Sequence, residues 1–406
     1  MKHVIIGVGA AGITAAKTIR EMQPQADIIM ISEDTYVHSR CMLHRYLSHE
    51  RDEKALSFVP EDFFEKQQLT WFSGKKVTHI LPQTHQIRLS DDATLDYDKL
   101  LIATGANSFI PPVGDFRQAA NVFGLRHLSD AQRILAQAEN AQRILIVGSG
   151  LVGMDAAYAF LEQKKQVTVV EMADRILPIQ LDETAGNTYR KLFEAAGCHF
   201  IVSRKASATV MENGRITKVI LDDQTEIPCD LVIVAAGVRA AIECVQDTSI
   251  KSERFIEVND YMQTSDPDIY AAGDVAGLSG IWPNAMKQGQ TAAYNMCGFP
   301  MQYVDRYAMK NTMNFYGITT LSLGRGIVQD GDEVILKEDH SSYRKAILRD
   351  GKLDSILLQG SIDYSGIYQY LIKNQVDISD KKDRIFDLSF ADFYGIEPDG
   401  QYNWRI

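Results

Sequence analysis

The sequence of 406 residues is short of cysteine, of long apolar runs and of positive charge, and each shortage excludes a class of protein. The five cysteines, Cys41, Cys198, Cys229, Cys244 and Cys297, are odd in number and scattered, with no CxxC or CxxxxC spacing. That distribution argues against a disulfide scaffold, a four-cysteine zinc site and an iron–sulfur cluster, and no metal site is expected. No stretch approaches the roughly 18 uninterrupted apolar residues of a membrane span. Lys and Arg total 42 against 53 Asp and Glu, a formal net charge of −11, which counts against a general nucleic-acid binder. Met1-Lys2-His3 precedes an apolar run, but Val4-Ile5-Ile6 breaks into Gly7-Val8-Gly9 with no cleavage-like site. A signal peptide is therefore not expected, and a cytoplasmic location is.

What is present is the composition of a folded protein, 45% hydrophobic and 23% charged, with length enough for two or three packed units. Two segments resemble one another. The first runs Val4-Ile5-Ile6-Gly7-Val8-Gly9-Ala10-Ala11-Gly12, then a helical pattern through Arg20, then an apolar strand Ile28–Ile31 ending at Ser32-Glu33-Asp34. The second runs Ile144-Leu145-Ile146-Val147-Gly148-Ser149-Gly150-Leu151-Val152-Gly153, then a helix to about Gln163, then a strand Val167–Val170 ending at Glu171. Each is strand, GxGxxG, helix, strand, acid. In that motif the first Gly permits a tight turn, the second lets backbone approach a pyrophosphate, and the third lets helix and strand pack closely. The phosphates then lie on the N–H groups at the positive end of the helix. Glu33 follows Gly12 by 21 positions (33 − 12) and Glu171 follows Gly153 by 18 (171 − 153), both near the spacing of about 20 at which an acid meets the adenosine ribose. Two complete copies predict two dinucleotides. Downstream, the strand Ile269-Tyr270-Ala271-Ala272 empties into Gly273-Asp274, where a doubly wound sheet binds ligand.

At these residues the chain resembles the FAD-dependent pyridine-nucleotide oxidoreductases with two dinucleotide domains, continuously from Met1 to about Gly298. The resemblance implies an α/β fold with two Rossmann-like dinucleotide-binding domains and a C-terminal α+β domain. The FAD domain would be discontinuous, 1–110 and 241–303, the NAD(P)H domain 111–240 and the C-terminal domain 304–406. Carried over by position, Gly7, Gly9, Gly12, Glu33, Thr104, Gly105 and Asp274 fall to FAD, and Gly148, Gly150, Gly153 and Glu171 to the nicotinamide cofactor. Ala10, Ala11, Asp34, Val77, Ala103, Leu151, Val152, Gly237 and Gly273 are further expected cofactor contacts. The ribose position in the first unit can be read as Ser32 or Glu33. A carboxylate at Glu171 pairs with a free 2′-hydroxyl and repels a 2′-phosphate, which favours NADH over NADPH, with Arg175 the residue that could soften the preference.

Members of this family differ in their electron acceptor, and the stretch 36–48 bears on that choice. It lacks the CxxxxC pair of the glutathione-reductase branch. Its Ser39-Arg40-x-x-Leu43-x-Arg45 pattern looks like the Arg-x-x-Leu-Ser-Lys stretch of rubredoxin reductases, ferredoxin reductases and the N-terminal part of NADH-dependent nitrite reductases. In that alignment Arg40 would reach the FAD phosphates or ring edge, and Arg45 would sit beside the isoalloxazine. Cys41 also lies near the single catalytic cysteine of NADH oxidases, NADH peroxidases and coenzyme A disulfide reductases, so two readings stand: a redox thiol with nearby cations, or a small residue packed near the flavin. His38, His44 and His49 have neither helix-face nor metal-ligand spacing, and a solvated basic loop or an electron-carrier docking face accounts for them. Arg40, Arg45, Arg51 and Lys54 make that loop locally basic.

Trp282 is expected either near the flavin ring or in the core, at the start of a helix whose dipole would stabilise negative charge on the flavin. Asp155 matches a family acid facing the nicotinamide, with an orienting role. Beyond Met301, alternating runs flank Arg349-Asp350-Gly351-Lys352, a hairpin signal, and aromatic residues from Phe386 to Trp404 are expected to pack on the body or a partner. The resemblance as a whole implies an enzyme that takes hydride from NADH onto FAD and passes electrons to a rubredoxin- or ferredoxin-like carrier or a partner reductase subunit. The alternatives are a Cys41-dependent oxidase, peroxidase or disulfide reductase, and a non-catalytic flavin- and NADH-binding redox sensor. Homo- and hetero-oligomers both remain open.

Overall fold

A computed structural model describes residues 1–305 and 310–404. The described chain separates into two compact units, one drawn from Met1–Met172 and Gly197–Arg306, the other from Ala173–Ala196 and Tyr307–Ile406.

The first unit contains the two copies of the repeat, and each has become a five-stranded parallel sheet. One has the order Ile269–Ala271, Lys99–Ile102, Lys2–Ile6, Asp27–Ser32, Thr70–Ser73. The other has the order His199–Ile201, Gln166–Val170, Arg143–Val147, Leu231–Val234, Val122–Gly124. The α/β fold of two Rossmann-like domains is therefore realised. The central strands read as unbroken apolar runs because both faces of a parallel sheet are covered. Ile5 and Met30 face the cluster beneath the helix Ala10–Met22, while Val4 and Ile29 face a second cluster with Ile80 and Ile102.

The two copies match at the level of single hydrogen bonds. Gly7 N donates to Ile31 O at 2.7 Å and Gly148 N to Val170 O at 2.8 Å, while Ala103 N donates to Ile6 O and Ala235 N to Val147 O, both at 2.8 Å. Each glycine-rich loop is thus pinned between two neighbouring strands, with its helix, Ala10–Met22 or Leu151–Glu162, starting directly after the second glycine. In the first copy a further helix, Trp282–Met296, lies across Ala10–Met22, so close that a Cβ on Gly289 would stand 2.1 Å from the Ala11 carbonyl oxygen.

The second unit is α+β. Its antiparallel sheet has the order Lys310–Phe315, Ile318–Leu323, Lys352–Gln359, Tyr343–Arg349, Glu333–Glu338. The expected hairpin is present, with Arg349 opposite Lys352 and both Asp350 (φ 50°) and Gly351 (φ 74°) left-handed, as a two-residue type I′ turn requires. One sheet face packs on the helix Gly366–Asn374. The other receives the helix Glu183–Ala195: Tyr189 donates to Ile318 O at 2.8 Å and accepts from Thr320 Oγ1 at 2.8 Å, and Gln359 Nε2 donates to Ala185 O at 3.2 Å. Segment 173–196 therefore groups with the C-terminal sheet, although it lies in sequence within the stretch expected to bind NAD(P)H. The C-terminal aromatics are packed only in part: Phe393 is buried and Trp404 contacts the rings of Tyr370, Phe390, Phe393 and Tyr394, while Tyr402 is exposed.

Gly289→Ala tests the helix crossing. With backbone as the obstacle, the helices must separate, and a loss of about 1–3 kcal/mol is expected in equilibrium unfolding. Gly280→Ala, where a Cβ meets nothing within 4 Å, serves as the control, and an unchanged midpoint for the Gly289 variant would contradict the crossing.

Candidate functional site

The two glycine cradles are built alike. A Cβ on Gly7 would stand 2.2 Å from Ala103 O and one on Gly148 2.5 Å from Ala235 O, and both residues have positive φ, 110° and 104°. A Cβ on Gly12 or Gly153 would stand 2.0 Å from the carbonyl oxygen of Gly7 or Gly148 respectively. The middle glycines differ: around Gly9 and Gly150 nothing lies within 4 Å of the Cβ position. The protein therefore needs glycine at the outer positions for its own packing and leaves open space at the middle one, beside uncapped helix N-termini. That is the shape and polarity of a pyrophosphate site, and the residues present fit a dinucleotide in both copies.

The first cradle opens into a cavity of about 470 Å³ lined by Gly7, Gly9, Glu33, Asp34, Val77, Ala103 and Thr104 among the expected residues. It continues towards a smaller one of about 90 Å³ lined by Gly9, Ala10, Ala11, Arg40, Cys41, Gly105, Gly273, Asp274 and Trp282. The structure thus brings most of the residues expected for FAD to these two cavities, though Gly12 and Arg45 line neither. Glu33 is exposed and 3.3 Å from Lys76 Nζ, whereas Asp34 is turned inward, 3.7 Å from His127 Nδ1. Burial works to raise the Asp34 carboxyl, but the bond to His127 and the charge of Arg40 outweigh it and hold the group below its ordinary value. Thr104 Oγ1 donates to Ala241 O at 2.7 Å, so its hydroxyl hydrogen serves the loop. Trp282 meets Phe58 edge-on at 4.8 Å while also lining the cavity, at the first residue of a helix with Pro283 in its first turn.

Arg40 leaves the basic loop and turns inward, donating to Ala106 O at 3.3 Å beside Gly105. Burial, with Arg126 alongside, lowers its guanidinium to about 10 against the pull of Asp34, Asp274 and Asp130, so it stays charged at neutral pH. Asp274 ion-pairs with Arg126, which also donates to Ala106 O at 3.1 Å. Arg126 and His127 are functional candidates that sequence reasoning missed. They precede the helix Leu128–Ala138, and Arg126 meets a partner 148 positions away, a pairing with no local signal.

The rest of the basic loop is internally balanced. Arg45 ion-pairs with Glu50, Lys54 lies 3.2 Å from Glu61, and Arg51 donates to Ala55 O at 3.3 Å. The histidines divide. His49 is exposed, but His38 is buried against the larger cavity, and His44 is largely covered, so a wholly solvated loop is incorrect.

In the second cradle, Glu171 accepts from Ser149 N at 2.7 Å and from Ser149 Oγ at 2.8 Å, placing its carboxylate at the mouth of the loop. Leu151 and Val152 open the helix and Val152 is exposed; Gly237 has φ 98° and nothing within 4 Å of its Cβ position. Arg175 has its donors engaged by Asp174, Leu181 O and Pro178 O.

The two halves of the first unit meet where the helix Leu43–Leu47 packs on Leu151–Glu162. Here His44 Nδ1 lies 3.5 Å from Asp155 Oδ2. Burial pushes the Asp155 carboxyl up to about 7, with Arg45 pulling the other way. Burial, then Arg45, pushes His44 down to about 4, partly offset by Glu50 and the Cys41 carbonyl. Cys41 is exposed, yet partial burial of its thiol and the charge of Asp155 raise it against the downward pull of Arg126 and Arg40. The surroundings thus favour a thiol over a thiolate.

Asp155 binds its proton more tightly folded than unfolded, so rising pH costs stability from about 4 to about 7. His44 has the opposite sign and adds stability from about 4 to 6.5, so the two largely cancel until Asp155 acts alone near 7. Asp155→Asn should therefore raise the thermal midpoint more at about pH 8 than at about pH 5. An equal or larger gain at the lower pH would contradict this assignment.

Comparison with known proteins agrees with the geometry. A family model described as pyridine nucleotide-disulphide oxidoreductase matches residues 1–289. The assimilatory nitrate reductase electron transfer subunit of Bacillus subtilis (strain 168) is 29% identical over 395 residues, covering 95% of this chain and 51% of that protein. The chain thus spans about half the length of that relative. The NADH-rubredoxin oxidoreductase of Clostridium acetobutylicum is 27% identical over 394 residues, covering 95% of this chain and 97% of that one. Among solved structures, a covalent putidaredoxin reductase–putidaredoxin complex superposes with a TM-score of 0.83 at 24% identity, covering 95% of this chain and 98% of that one, a likeness of fold. With two intact dinucleotide cradles and a family match over most of its length, this chain belongs to the pyridine nucleotide-disulphide oxidoreductase family.

Proposed function

We propose that the chain is an FAD-dependent NADH oxidoreductase that takes hydride from NADH onto FAD and passes electrons to a small redox protein or a partner reductase subunit. The observation that carries this reading is the pair of near-identical cradles in one unit, each open at its middle glycine and closed at the other two. FAD, when bound, supplies a carrier that accepts two electrons together and can release them singly.

The residues divide the work. The domain reading remains 1–110 with 241–303 for FAD, 111–240 for NAD(P)H and 304–406 for the C-terminal domain. The backbone at Gly7, Gly9 and Gly12 holds the FAD pyrophosphate, and Arg40 adds a fixed positive charge in the cavity. Gly148, Gly150 and Gly153 do the same for NADH. The N-terminus of the helix Trp282–Met296 points its partial positive charge into the smaller cavity, favouring negative charge there. Asp155 and His44, on facing helices, fix the approach of one dinucleotide half to the other, which is positioning rather than covalent chemistry. Among the described residues no helix is long and apolar enough to cross a membrane, and the reading places the enzyme in the cytoplasm.

Electron transfer without a thiol is favoured over the single-cysteine route by the raised Cys41, while the missing second cysteine excludes the dithiol route. In the flavin-loaded protein, Cys41→Ser should keep NADH-driven reduction of ferricyanide within about threefold of wild type; a loss beyond about a hundredfold would establish the thiol route instead.

Cofactor choice is set by Glu171, held by Ser149 and not countered by an available Arg175. Anaerobic flavin reduction by NADH should outpace that by NADPH, and Glu171→Ala should narrow the gap by about tenfold or more. Equal rates with the two nucleotides in the wild-type chain would overturn the assignment.

A further inference from the structure

His38, in the wall of the larger cavity, carries a polar atom that no described contact explains. His38 is 4% exposed and lines that cavity with Gly7, Gly9 and Asp34. Its Nδ1 lies 3.2 Å from the carbonyl oxygen of Tyr36, while its Nε2 is buried with no hydrogen-bond partner among the described residues. A buried polar nitrogen left unsatisfied is costly, and folded proteins rarely tolerate one without a reason.

The bond to Tyr36 decides what that nitrogen can do. A carbonyl only accepts, so the ring hydrogen sits on Nδ1. Burial lowers the ring's proton affinity, with Arg40 adding to the effect against the pull of Asp34, so the ring is neutral and Nε2 carries a lone pair. The partner it lacks must be a donor. A pyrophosphate at neutral pH has no donor to offer, whereas an adenosine ribose has two hydroxyls. The adjoining Asp34 lies two residues beyond the strand Asp27–Ser32, one past Glu33, near where such a fold places the acid that meets this ribose.

We propose that His38 is a binding residue for the adenosine half of FAD, accepting at Nε2 a hydrogen bond from a ribose hydroxyl and sharing that sugar with Asp34. The inference rests on the FAD reading above and deepens it. A loop histidine outside the fingerprint completes the ribose subsite, while Glu33, exposed on the wall of the same cavity, pairs with Lys76.

The test is equilibrium binding, read by flavin fluorescence, to the full chain freed of its flavin. FAD is compared with FMN and with two FAD analogues lacking the 2′- or the 3′-hydroxyl of the adenosine. In the wild-type chain one deoxy analogue should bind about tenfold more weakly than FAD. His38→Phe, which fills the space without an acceptor, should bind FAD about tenfold more weakly and lose the distinction between FAD and that analogue, with FMN binding unchanged. His38→Gln, whose amide oxygen accepts, should recover part of the affinity, which separates a lost hydrogen bond from a misfolded loop. Unchanged FAD affinity in His38→Phe, or a deoxy penalty that persists in it, would overturn the proposal and leave the FAD reading standing. Failure of the wild-type chain to bind FAD at all would overturn both.

Discussion

The contact on which the rest of the first unit depends is between backbone atoms, where the third glycine of each fingerprint lies against the carbonyl of the first. At Gly12 over Gly7 and at Gly153 over Gly148, a side chain of even one carbon would have to occupy a position 2.0 Å from an oxygen. That approach brings the helix down onto its strand, aims its free N–H groups at the loop and leaves the middle glycine facing open space. The two sheets, the order of their strands and the line of cavities follow from repeating this one arrangement.

Much of this was legible in the sequence because the information is local. Gly7 to Gly12, Gly148 to Gly153, the apolar strands before them and the acids after them all lie within one supersecondary unit, where spacing maps onto geometry. The Asp350-Gly351 hairpin was legible for the same reason, since two left-handed residues in a row are chemically conspicuous. What escaped were pairings between distant segments. Arg126 with Asp274, His127 with Asp34 and His44 with Asp155 join residues far apart in sequence, and no periodicity announces them. Segment 173–196 groups with the C-terminal unit for a similarly non-local reason, since Ala185 and Tyr189 find their hydrogen-bond partners on strands more than a hundred residues downstream.

The loop after the first strand–helix–strand unit shows how charge counted along a sequence can mislead. Arg40, Arg45, Arg51 and Lys54 read as a basic docking face. In three dimensions Arg40 serves the cavity, Arg45 and Lys54 are matched by Glu50 and Glu61, and the two nearer histidines are withdrawn from water. Cys41 sits exposed among these cations and yet is pushed away from the thiolate form, because partial burial of its thiol and the charge of Asp155 outweigh Arg126 and Arg40. Proximity in sequence to positive charge did not activate it, and the site is organised around holding two cofactors.

The central claim is that one chain uses two copies of one cradle for two different dinucleotides at once. Isothermal titration of the flavin-loaded protein with NAD⁺, with FAD content measured on the same sample, tests it most directly. The account predicts one FAD and one NAD⁺ per chain, with NAD⁺ binding abolished by closing the second cradle in Gly150→Val while FAD content is unchanged. Displacement of FAD by NAD⁺, or loss of FAD in the Gly150 variant, would contradict it.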